Sequence, residues 1–84
     1  MVYYVYVLRS EKGSSYYIGH TSDLEERLKR HNERRSRYTR SKVPWELIYQ
    51  EVFSTRSEAM RREREIKEKK NRAYIDYLVG ASRA

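Results

Sequence analysis

Eighty-four residues make one domain, with no room for a second hydrophobic core. The absence of cysteine excludes disulfide support and thiolate zinc sites, and fits a cytoplasmic protein; no segment approaches the roughly 20 apolar residues of a membrane span. Nineteen Lys and Arg against twelve Asp and Glu give a net charge of +7, and thirteen of the nineteen are arginine, the better bidentate ligand for phosphate, so a nucleic-acid backbone is the first partner to consider.

The chain opens on residues 2–9, a β-branched and aromatic run that reads as a strand. Glu11-Lys12-Gly13-Ser14-Ser15 is a turn, and Tyr16-Tyr17-Ile18-Gly19 a second strand, so the two should form an antiparallel hairpin. Ser22-Asp23-Leu24-Glu25 has the spacing of a capping box with Ser22 at the cap, which starts a helix running to about Asn32. A basic loop follows, carrying Arg34, Arg35, Arg37, Arg40 and Lys42 and ending at Val43-Pro44; these five cations are the predicted grip on a nucleic-acid backbone. Trp45 to Phe53 reads as a third strand. Thr55-Arg56-Ser57-Glu58 is a second capping box, opening a helix to about Lys70. A short last helix spans Tyr74 to Val79 and stops near Gly80. The domain is then 2–79, with 80–84 a disordered tail.

Two helix faces carry residues that a solvated face would not need. With Leu24 at zero, Leu28 falls at about 40°, His31 at about −20° and Arg27 at about −60°. Glu25, Glu26, Lys29 and Arg30 fall on the opposite side. Arg27 and His31 therefore belong on or beside the face that meets the sheet. On the second helix, with Ala59 at zero, Ile66 lands at about −20°, Met60 at about 100° and Glu63 at about 40°, between them. Glu63 is thus a carboxylate centred on an apolar stripe. Burying it unpaired would cost several kcal/mol, so it needs a cationic or metal partner. A pairing with Arg27 that braces the two helices is one way to meet that need.

Phosphodiester cleavage calls for the same residue types. Charge on the phosphate is neutralised by an arginine and a divalent cation, for which a carboxylate is the usual hard ligand. A water is deprotonated or positioned by a tyrosinate, a histidine or a metal-bound hydroxide. Tyr6, Tyr17, Arg27, His31 and Glu63 supply each type. Two histidines are too few for a histidine-rich metal site, and neither a glycine-rich phosphate loop nor a nucleophile elbow is present.

In order along the chain, these pieces resemble the GIY-YIG nuclease domain, most closely its small stand-alone bacterial members. Tyr4-Val5-Tyr6 stands at the first motif and Tyr17-Ile18-Gly19 at the second. Thr21 to Asn32 follows, then Tyr38-Thr39-Arg40 and Pro44-Trp45-Glu46-Leu47, then Arg56 to Glu63 with Ile66-Lys67. Tyr4 stands where the first motif has its glycine, and Asn71 follows Glu63 at a distance from which an asparagine contribution is undecided. The resemblance implies an α+β fold: a three-stranded antiparallel sheet flanked by helices, with a single-metal nuclease site on it. It makes Tyr6, Tyr17, Arg27, His31 and Glu63 the catalytic set. Tyr6 is the base or water positioner, Arg27 the transition-state cation, His31 an aid to proton transfer, and Glu63 the ligand for Mg²⁺ or Mn²⁺. The expected activity is metal-dependent DNA endonuclease action in repair or recombination, with specificity borrowed from a protein partner. Two other readings stay open on the residues: a nucleic-acid-binding module that keeps the scaffold without the reaction, and a basic RNA-structural protein whose tyrosines and Trp45 stack on bases.

Overall fold

The computed structural model describes residues 1–12, 15–33, 39–69 and 71–83. Three strands, β1 (Tyr3–Ser10), β2 (Tyr16–Thr21) and β3 (Trp45–Phe53), form one antiparallel sheet in the order β2-β1-β3. Helix α1 (Leu24–Asn32) lies on one face; α2 (Arg56–Lys69) and α3 (Arg72–Arg83) lie on the other. A short 3₁₀ turn, Arg40–Lys42, precedes β3.

The central position of β1 explains its weak alternation. Val5, Tyr6, Val7 and Leu8 are all buried because both faces of the strand are covered. Tyr6 and Leu8 join Trp45, Val43, Leu24, Leu28 and Leu47 in a core beneath α1. Val5 joins Ala59, Ile66 and Leu78 in a second core beneath α2 and α3.

Three local expectations are corrected. Asp23, not Ser22, caps α1: its side chain accepts from the Glu26 amide at 3.1 Å. The Asp23 amide is itself held by the Thr21 hydroxyl, which seats Asp23 where its carboxylate reaches the first turn. Helix α3 begins earlier than predicted and passes through Gly80 to Arg83. The Asn71 side chain accepts from the Tyr74 amide at 2.7 Å, which starts the helix, and Gly80 keeps an ordinary helical backbone. The apolar stripe of α2 is narrower than its sequence suggested, for Met60 is exposed while Ala59 and Ile66 are buried. The Thr55 box forms as read, with the Glu58 amide donating to Thr55 Oγ1 and the Thr55 hydroxyl donating back to Glu58.

Candidate active site

Tyr6 is the centre of the α1 face. It pairs across the hairpin with Gly19, and that glycine is what lets the phenol lie flat against β2. A Cβ on Gly19 would stand 2.6 Å from the Tyr6 hydroxyl oxygen, 2.8 Å from its Cζ and 3.1 Å from Cε1 of Tyr17. The second-motif glycine therefore makes room for the first-motif tyrosine, a close approach that no other residue allows. The Tyr6 hydroxyl lies 3.2 Å from Nε2 of His31, whose Nδ1 lies 2.8 Å from the Thr39 hydroxyl. The Tyr17 ring packs on His31 with centroids 4.7 Å apart, and its other side meets Trp45.

Burial sets the protonation of this pair. The Tyr6 phenol is pushed well above its ordinary value, chiefly by desolvation and then by Tyr17; Arg27 pulls it back by charge and a hydrogen bond, while Glu63 adds to the rise. His31 is lowered to about 4, again chiefly by burial, with Arg27 and Arg30 adding to it. At neutral pH the imidazole is therefore neutral and the phenol protonated. Thr39, His31, Tyr6 and Arg27 form a continuous polar chain from the buried interior to Arg27 at the surface.

Glu63 approaches from the α2 side. His20 Nδ1 donates to its Oε1 at 2.6 Å, and Lys67 Nζ donates to Oε2 at 2.7 Å. The predicted cationic partner exists, but it is not Arg27, which serves Tyr6 instead. Burial raises the Glu63 carboxyl, and the Lys67 and His20 hydrogen bonds outweigh it, so the net shift is downward and the group is ionised at neutral pH. The Glu63 side chain is 18% exposed, whereas its partner Lys67 is 53% exposed.

His20 was not among the sequence-predicted site residues, yet it organises the site. Its ring lines an open hollow of about 340 Å³ that holds Glu63, Met60, Arg64, Lys67 and Glu68. It also lines a second hollow, of about 300 Å³, that holds Arg27. The carboxylate and the arginine thus flank one histidine at the β2 edge. The only sequence signal for His20 was its place directly after Gly19.

Arg34, Arg35 and Arg37 of the basic loop lie outside the described residues, and Arg40 falls in the 3₁₀ turn. Lys42 ties the loop to the hairpin: its Nζ donates to Ser15 Oγ at 2.9 Å and its carbonyl accepts from Ser10 Oγ. Asn32 clamps the loop's base, accepting from the Trp45 amide at 2.6 Å and donating to the Trp45 carbonyl at 3.1 Å. Trp45 Nε1 donates to the Thr39 carbonyl at 2.8 Å, so the loop's end also positions the Thr39–His31 bond.

Residues 2–75 match the GIY-YIG catalytic domain. The chain belongs to the GIY-YIG family. That domain is a nuclease domain acting on nucleic acid, and its nucleases generally use divalent metal ions. The chain is 47% identical over 66 residues to a UPF0213 protein of Staphylococcus haemolyticus, covering 77% of this chain and 79% of that protein. It is 44% identical over 80 residues to a UPF0213 protein of Bacillus pumilus, covering 90% and 81%. The solution structure of a UPF0213 protein from Bacillus halodurans superposes with a TM-score of 0.60 at 35% identity, over 96% of this chain and 85% of that one. No helix among the described residues is long and apolar enough to cross a membrane.

The donor set can be tested against a divalent ion. Among the described residues no group of three metal-ligating side chains converges. Glu63 is an ionised carboxylate on the wall of an open hollow, and an exposed lysine covers one of its oxygens. That suits a hard cation held by one carboxylate, with substrate and water oxygens completing its shell.

Proposed function

We propose that this chain is a divalent-metal-dependent endonuclease that hydrolyses phosphodiester bonds in DNA, in repair or recombination. The observation that carries the reading is the placement of Glu63 and Arg27 on either side of His20 at one sheet edge. Glu63 would hold Mg²⁺ or Mn²⁺, which when bound supplies charge neutralisation and acidifies a bound water.

The remaining roles follow from the protein's own groups. Arg27 presents its guanidinium to the hollow and stabilises charge that develops on the phosphate oxygens. Tyr6 stays protonated, so it positions through its hydroxyl and does not act as a tyrosinate base. His31 is a positioning residue: buried, neutral and engaged at both nitrogens, it fixes the Tyr6 hydroxyl. His20 donates through Nδ1 to Glu63, and in that tautomer Nε2 is the acceptor for the attacking water. Water adds to phosphorus, the bridging P–O bond breaks, and the strand is left as one phosphate end and one hydroxyl end. Tyr17 walls the site and orients His31 by packing. The basic loop grips the backbone, and a protein partner supplies sequence or structure preference.

Labelled single-stranded, duplex and branched DNA, incubated with Mg²⁺, Mn²⁺ or EDTA, tests the reading. Metal-dependent cutting is expected. Salt-sensitive binding of the same substrates with no cutting in any metal would replace the nuclease with a binding module.

A further inference from the structure

The hollow that holds Arg27 also holds Arg56, together with Tyr3, His20, Thr21 and Ser22, and among the described residues no carboxylate lines it. The carboxylates close by in sequence are committed elsewhere. Glu58, in the same helical turn as Arg56, accepts from the Thr55 and Ser54 hydroxyls. Asp23 caps α1, and Glu63 is held by His20 and Lys67.

Arg56 lies over the Tyr3 ring, 5.7 Å from its centroid, and Arg27 lies near enough to the Tyr6 hydroxyl to act on it. Two arginines on one polar hollow repel each other until anions enter, and neighbouring phosphates of one strand, each with several acceptor oxygens, suit two guanidinium forks.

We infer that the Arg56 end of this hollow is a second phosphate subsite, in which Arg56 holds a phosphate of the substrate strand beside the scissile one served by Arg27. The inference rests on the nuclease reading for its ligand, and it adds that the enzyme engages a run of backbone rather than a single diester. Arg56 is a binding residue here, because nothing places it at the reacting atoms. It lies at the exposed start of α2, so replacing it should leave the fold intact.

The test uses the full chain with Arg56→Gln and Arg56→Lys. Binding of a labelled oligonucleotide is measured against salt, and cleavage is measured on the oligonucleotide and on bis(4-nitrophenyl) phosphate, a diester with no second phosphate. Arg56→Gln should shrink the slope of log K against log salt by about 0.7 to 0.9. It should also raise the oligonucleotide KM several-fold while kcat and small-diester turnover stay within about twofold of wild type. Arg56→Lys should restore the slope. An unchanged slope and KM in Arg56→Gln overturns the subsite, as does a lysine variant no better than the glutamine one, which would reduce Arg56 to packing on Tyr3. A wild type that binds with salt dependence but does not cut fails the nuclease reading alone, and the slope still decides the subsite. A wild type without salt-dependent binding overturns both.

Discussion

Glu51 and Glu63 are two carboxylates of nearly equal burial, 21% and 18% exposed, and the protein uses them differently. Glu51, on β3, is gripped by Arg62 through Nε at 2.9 Å and Nη2 at 3.0 Å, and accepts the Tyr49 hydroxyl as well. Arg62 is locked in turn by the Tyr74 hydroxyl at 3.1 Å and by the face of that ring. Desolvation and the Glu51 bond push the Tyr49 phenol up to about 12, so that hydroxyl keeps its proton near neutrality and goes on donating to Glu51. Glu63 has a histidine and an exposed lysine instead of a fork, and it opens on a hollow. Burial alone therefore does not mark a functional carboxylate. What separates the two is the rigidity of the partner and the presence of open space beside it.

That contrast can be broken at several points. Arg27→Ala, on the Glu63 side, should cost two to three decades in cleavage rate if the guanidinium meets developing phosphate charge. An unchanged single-turnover rate would demote Arg27 to a brace for Tyr6.

His31 sharpens the same edge through pH. Its folded pKa of about 4 lies below the unfolded 6.5, so as pH falls the unfolded chain takes up the proton first. Its contribution is complete above pH 6.5 and is lost as pH falls towards 4. At 1.36 kcal/mol per pH unit the gap amounts to about 3 kcal/mol. Denaturant unfolding across that window should show the loss in wild type and a flatter profile in His31→Gln; parallel profiles would remove His31 as the source.

On the other edge, Arg62→Ala leaves Glu51 partly buried without its cation, with the Tyr49 hydroxyl still bonded to it. It should cost about 2 to 3 kcal/mol of unfolding free energy, read from the chemical midpoint, with cleavage per folded molecule unchanged. A loss of activity without a loss of stability would make the two clusters functionally alike. Gly19→Ala should cost about 1 to 3 kcal/mol from overpacking against Tyr6 and should slow cleavage as the phenol shifts. A fully stable, fully active variant would show that the hairpin has room to spare.

The elements with strong local signals were legible in the sequence. The Thr55–Glu58 box, the 3.6-residue spacing on α1 that put His31 inward, and the Trp45–Phe53 strand all appear at their expected places. The α1 cap was misread because Ser22/Glu25 and Asp23/Glu26 are the same pattern one residue apart, and only the Thr21 contact chooses between them. Gly80 read as a stop because glycine favours helix ends, yet it also sits inside a helix at a cost of about 1 kcal/mol. His20 was missed for a different reason: its defining contact lies 43 residues away on α2, and no local periodicity encodes such a meeting. The same holds for Thr39, Asn32 and Trp45, whose mutual bonds close the basic loop through side chains that read singly as ordinary loop, helix-end and strand residues.

The central claim is that Glu63 works where Glu51 only holds. Its most direct test is metal-dependent DNA cleavage by Glu63→Gln and Glu51→Gln side by side, at a temperature where circular dichroism shows both folded. Cleavage reduced to background in Glu63→Gln and retained in Glu51→Gln is the expected result. Equal activity in the two variants, or loss confined to Glu51→Gln, would contradict it.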